Sequence, residues 1–223
     1  MKTFKTLATA VAVSLSTSAS ATVLTFDQID VANNAAINQS YGDRVTEGSD
    51  AVGSYGTAGG ATGNVVVEYF NLGPNESLLW TTGYNDLENV LFVEPDGTAE
   101  PIALRFTADA GYNVVLNSFT IGNFGGAVTL PNIRVSDGTS NLLDVDNFAL
   151  EATSGDASIF EPGAQGQELT LFVDLFGLGG NSDNIGLDNI SFSQIAVSAV
   201  PLPAGLPLML GGFGLLAWMR RRT

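Results

Sequence analysis

The sequence predicts an all-β domain, a sandwich or barrel, set between two apolar end segments. Three observations carry that prediction. The interior shows no long amphipathic helix period. Short apolar or alternating runs recur instead, and Gly, Asn, Asp and Pro punctuate them. Ten runs fit strands: Val23–Gln28, Asn64–Asn71, Ser77–Thr81, Val90–Glu94, Ile102–Ala108, Asn113–Asn123, Asn132–Ser136, Leu142–Val145, Glu168–Phe176 and Gly186–Ile195. Turn chemistry separates them at Pro95-Asp96-Gly97, Ala110-Gly111-Tyr112 and Ser136-Asp137-Gly138. The stretch Ser40 to Ala61 is rich in glycine and poor in apolar residues, and is expected to form a long loop near one end.

At the N-terminus, Lys2 and Lys5 precede an apolar run from Leu7 to Leu15, and small residues end in Ala19-Ser20-Ala21. A basic start, a short apolar middle and an A-x-A-like end are the parts of a secretory signal peptide, here residues 1–21. The apolar run is shorter than the roughly 20 residues that span a bilayer. The expected domain then covers residues 22–197 and a terminal segment covers 198–223.

That terminal segment reads Val200-Pro201-Leu202-Pro203-Ala204, then an uncharged, glycine-containing apolar stretch to Met219, then Arg220-Arg221-Arg222. As a helix, residues 202–219 would reach roughly 27 Å, close to a hydrocarbon core of about 30 Å. The three arginines would stop transfer and stay cytoplasmic. Physics alone gives a tail anchor with the domain outside. The proline-bearing pentapeptide, apolar helix and arginine cluster together resemble the PEP-CTERM sorting signal in its VPLPA variant. That resemblance implies an inner-membrane precursor and recognition by an exosortase, a membrane protease that removes the tail. It also implies delivery to the cell surface or an extracellular polysaccharide matrix. Prolines suit such a signal because they keep the pentapeptide extended. A permanent tail anchor is the alternative reading.

Charge narrows the function classes. Residues 22–199 keep only Arg44, Arg105 and Arg134 against all 23 acids, a formal charge of 3 − 23 = −20 with no lysine. Such a body repels nucleic acid and anionic membrane. There is no cysteine and no histidine. Ser-His-Asp and Cys-His catalysis and histidine-zinc sites are therefore excluded, as are lysine nucleophiles after signal removal. A non-enzymatic role follows. Paired carboxylates could in principle hydrolyse glycosides, but the sequence singles out no pair.

The interior also resembles a recurrent jelly-roll domain of PEP-CTERM proteins. The likeness rests on Ser40-Tyr41-Gly42-Asp43-Arg44-Val45, Asn64-Val65-Val66-Val67-Glu68-Tyr69 and Gly83-Tyr84-Asn85-Asp86-Leu87. It continues in Ala110-Gly111-Tyr112-Asn113-Val114 and Asn184-Ile185-Gly186-Leu187-Asp188-Asn189-Ile190. It implies a jelly-roll-like β-sandwich of carbohydrate-binding type, without a catalytic residue. In such folds the first and last strands pair and an acid on each helps hold a structural calcium. Asp27, Asp188 and Asn189 are the matching oxygen donors here. Asp188 as an ordinary turn residue is the alternative. Asn181-Ser182-Asp183-Asn184 and Asp144-Val145-Asp146 lack EF-hand spacing and read as solvated turns. Trp80, Tyr84 and Tyr41 are the aromatic candidates for stacking on sugar, as from an exopolysaccharide. Trp80 follows Leu78-Leu79, so a core role is the competing reading.

Overall fold

The computed structural model describes residues 21–28, 32–56, 62–70, 77–93 and 101–197. The chain is all-β within these bounds, with one short 3-10 turn. The order is β1 (Thr22–Gln28), β2 (Ala35–Ala36), β3 (Gly53–Gly56), β4 (Val65–Phe70), β5 (Ser77–Tyr84), β6 (Leu87–Val93) and β7 (Ile102–Ala108). There follow β8 (Tyr112–Asn123), β9 (Val128–Ser136), β10 (Asn141–Leu150), β11 (Ser158–Phe160), β12 (Ala164–Gly166) and β13 (Glu168–Asp174). The 3-10 turn Gly179–Asn184 leads into β14 (Ile185–Ala196).

The strands form two sheets. The five-stranded sheet has the order β10-β9-β13-β7-β4. The nine-stranded sheet runs β11-β8-β14-β6-β5-β2, with β1 paired to β14 and β3, and β12 paired to β8. Consecutive strands repeatedly change sheet: β6 to β7, β7 to β8, β8 to β9 and β13 to β14 all cross over. Inward-facing positions follow the period of two. Val65, Val67 and Tyr69 on β4, Leu104 and Phe106 on β7, and Leu169, Leu171 and Val173 on β13 are all buried. They face Leu116, Phe119 and Ile121 of β8 and Ile185, Leu187, Ile190 and Phe192 of β14 in one core. Burial on β14 changes phase between Leu187 and Ile190, where its pairing with β8 is bulged.

Each of the ten expected strands has a counterpart. The turns at Gly111 and Gly138 take left-handed φ of 90° and 82° as their turn chemistry requires. At the second, Asp137 Oδ1 accepts from the backbone N–H of Thr139 and Ser140. Pro95-Asp96-Gly97 lies outside the described residues. The stretch from Ser40 departs from the expected loop. Gly53–Gly56 is a strand paired with β1, and Tyr41, Val45 and Tyr55 are core residues. Phenols tie this stretch down. Tyr41 donates to Ser54 O at 2.8 Å, Tyr55 donates to Asp50 Oδ2 at 2.6 Å, and Tyr69 donates to Tyr41 O at 2.8 Å.

Residues 1–20, the pentapeptide Val200 to Ala204, the apolar stretch behind it and Arg220, Arg221 and Arg222 lie outside the described residues. Among the described residues, no helix is long and apolar enough to cross a membrane.

Candidate functional site

The first and last strands pair as expected, with Thr22 opposite Phe192 and Leu24 opposite Ile190. Beyond Leu24 the pairing fails, because three neighbouring strands leave regular geometry together. Phe26 on β1, Asn89 on β6 and Asn189 on β14 have φ of 56°, 56° and 51°. Asn tolerates the left-handed region, whereas Phe does so only under constraint. Phe26 is constrained by its ring, which is buried in the main core. With the ring held inward, the adjacent Asp27 is turned out to solvent. The bulges open a cleft of about 350 Å³ where β1 separates from β14 and β6. Asp27, Asp86, Glu88 and Asp188 line it, together with Thr25, Leu87, Asn89 and Asn189.

Asp188 is the unusual group. It is only 4% exposed, and burial pushes its carboxyl up to about 8, with the charges of Asp27 and Glu88 adding to the effect. Its oxygens accept from Asn189, Oδ1 from the backbone N–H at 2.6 Å and Oδ2 from the side-chain amide at 2.9 Å. Asp27 accepts from the side-chain amide of Asn89 and from the Thr25 hydroxyl at 3.5 Å. No basic side chain lines the cleft. Arg44 is paired with Asp109 at 2.6 Å, Arg105 lies between Glu68 and Glu168, and Arg134 sits 4.0 Å over the Phe172 ring. Neutral amides alone therefore offset the negative charge around Asp188.

The donor set is all oxygen and net negative, which is the chemistry of a hard cation such as Ca²⁺. It is thin in charge, however. Among the described residues no three acidic side chains converge as one metal-binding group. Asp27 and Asp188 could supply two carboxylates. The six to eight oxygens that calcium takes would have to be completed by the Asn89 and Asn189 amide oxygens, backbone carbonyls and water.

The aromatic candidates do not come together. Tyr41 is 0% exposed and its ring stacks on Tyr55 at 5.0 Å with Phe26 at 5.8 Å. It is a core residue with no free face for a sugar, and this corrects its expected place on a surface loop. Tyr84 is likewise buried. Its ring fits over the paired residues Gly122 and Gly186, where a Cβ on Gly186 would come within 2.8 Å of Tyr84 Cδ1. Tyr84 belongs to a small second cluster with Leu87, Val90 and Phe92, against which Trp80 packs half-buried. Trp80 and Tyr84 do line one cleft, separate from the acidic one.

Asp144 and Asp146 are exposed on β10, not in a turn, and both accept from the Asn132 amide, at 2.7 and 2.9 Å. Asn181 to Asn184 close the 3-10 turn, in which Ser182 is buried and donates to Gly179 O.

Sequence reasoning missed Asn89, Glu88 and Asp86 as companions of Asp27 and Asp188. The acid-rich run Asp86-Leu87-Glu88-Asn89, where the hairpin turn enters β6, was a usable signal. It also missed Asn85 and Asn123. Asn123 is fully buried and its amide donates to Gly126 O and Glu151 O at 2.8 and 2.9 Å. Asn85 donates to Ala152 O and Gly155 O. The pair locks two loops at this end of the sheet. Comparison with protein-family models and with curated proteins found no match.

Proposed function

We propose that this chain is an exported, non-enzymatic cell-surface or matrix protein, a structural or adhesive jelly roll stabilised by calcium and sorted by an exosortase. The observation that carries the export reading is the position of the folded unit between the two end segments. β1 begins at Thr22, one residue past the expected signal cleavage after Ala21, and β14 ends at Ala196, four residues before Val200. No described strand would be lost if both ends were removed. The repeated crossing of the chain between two sheets supports a jelly roll.

The calcium reading rests on Asp188. A carboxylate buried beside two other acids, without a cationic partner, is costly when charged. A cation bound between Asp27 and Asp188 would relieve that cost and tie the first strand to the last, as a disulfide does in other exported domains. The non-enzymatic reading has a related support. Asp188 has the raised pKa of a general acid, but it is buried and both its oxygens are held by Asn189. It is poorly placed to reach a glycosidic oxygen.

Deleting Val200 to Thr223 tests the sorting. In a host carrying an exosortase, the full chain should be retained at the envelope or matrix and the truncated chain should appear in the medium. Equal retention of both forms would sink the sorting reading.

A further inference from the structure

On the outer face of the larger sheet lies the second cleft, about 220 Å³ in volume. It shares no lining residue with the acidic one. One side is aromatic. Trp80 meets Phe92 edge-on at 6.1 Å and 86°. Phe124 is 48% exposed although it is a large apolar ring. The other side is polar, formed by Asp183 and Asn184 from the end of the 3-10 turn and by Asn34. Asp183 Oδ1 is buried without a hydrogen-bond partner, while backbone N–H groups of the turn, at Asp183 and Asn184, hydrogen-bond to the same carboxyl and hold it in place.

The walls are held in place. Tyr84 donates its hydroxyl to Asp183 O, and the backbone N–H of Phe124 donates to Asn184 O at 2.8 Å. Gly83, at φ 100°, lets the Phe124 ring lie on the strand, since a Cβ there would stand 2.5 Å from Phe124 Cε2. The buried Asn123 fixes the loop behind Phe124 through Gly126 O. Apolar rings and amide and carboxylate groups therefore converge on one small space before any ligand arrives.

From this geometry we infer that the cleft is a binding site for one neutral pyranose unit of a glycan. A pyranose has an apolar C–H face for Trp80 and Phe124 and hydroxyls for the polar side formed by Asn34, Asp183 and Asn184. A purely apolar ligand would desolvate this polar side without bonding to it. An anionic sugar would meet both the Asp183 carboxylate and a body of formal charge 3 − 23 = −20. The volume is below the roughly 300–1,000 Å³ of sites for drug-sized ligands, so one ring fits rather than several. The inference is independent of calcium and of sorting.

Trp80 reports on the site directly. The chain has two tryptophans, so Trp218→Phe leaves Trp80 as the single emitter. The full chain, in a non-glycosidic detergent, is titrated with the methyl pyranosides of glucose, galactose, mannose and N-acetylglucosamine. At least one should give a saturable emission change. Phe124→Ala and Asp183→Ala should each raise its Kd about tenfold, with the melting temperature little moved for the half-exposed Phe124. No saturable change with any of the four, or a Kd unaltered by Phe124→Ala and by Asp183→Ala, overturns the inference. A response to indole but to no pyranoside also overturns it.

Discussion

Asp188 shows how burial, neighbours and geometry combine at one residue. Its carboxyl is raised to about 8 in the folded chain, against an ordinary value near 4 in the unfolded one. Between those values the folded state binds the extra proton, so the contribution of Asp188 to stability is fully present below about pH 4 and is lost as pH rises from about 4 to about 8. Asp188→Asn removes the titration. Without added cation, the variant should show a shallower loss of melting temperature across that window than the wild type, and should equal or exceed it at pH 8. A slope unchanged by the substitution would mean that Asp188 does not titrate as its surroundings dictate. Asp27, Asp188 and Asn189 were named from the resemblance, which implies that first and last strands pair, and the three residues do line one cleft. The burial of Tyr41 was not legible. Its neighbours are Ser40, Gly42 and Asp43, a polar and flexible context, and only long-range partners, Ser54 and Tyr55, pull the ring inward.

At the level of elements, alternation made β4 and β13 readable, since each has one face on the core and a clean period of two, and β7 alternates from Leu104 onward. β2, β11 and β12 have two or three residues each, too few for any period to register. β10 was cut short at Val145 because Asn147 takes a left-handed φ of 53° and breaks the alternation beyond it. The glycines of the larger sheet carry a separate meaning, visible only after folding. Gly186 gives way to Tyr84 and Val90, and a Cβ there would lie 2.8 Å from Val90 Cβ, an atom that cannot swing aside. Gly186→Ala should therefore destabilise the domain by about 1–3 kcal/mol. Gly180→Ala, with open space around it, should stay within about 0.5 kcal/mol. Urea midpoints of the two variants make the comparison, and equal midpoints would remove the close-packing explanation for Gly186.

Across the whole molecule, charge distribution and topology converge on the acidic cleft. All three arginines of the sandwich are engaged away from it. Its acids come from the β5–β6 hairpin and from the first and last strands, elements far apart in sequence. That is why the cleft's full membership could not be read from any one motif. It is also why a single ion there would act on the entire sandwich, closing the chain between its beginning and its end. The domain has no cysteine to do so covalently.

The decisive measurement is the melting temperature of the chain at pH 8 in Ca²⁺ and in EDTA, for the wild type and for Asp188→Asn. With free Ca²⁺ about 100-fold above its Kd, binding to the folded state alone adds about 2.7 kcal/mol. For a domain of this size that is roughly a 5–10 °C rise. The wild type should show that rise and Asp188→Asn should lose most of it. The same melting temperature in Ca²⁺ and in EDTA for the wild type, or an equal rise in Asp188→Asn, would contradict a calcium-tied sandwich.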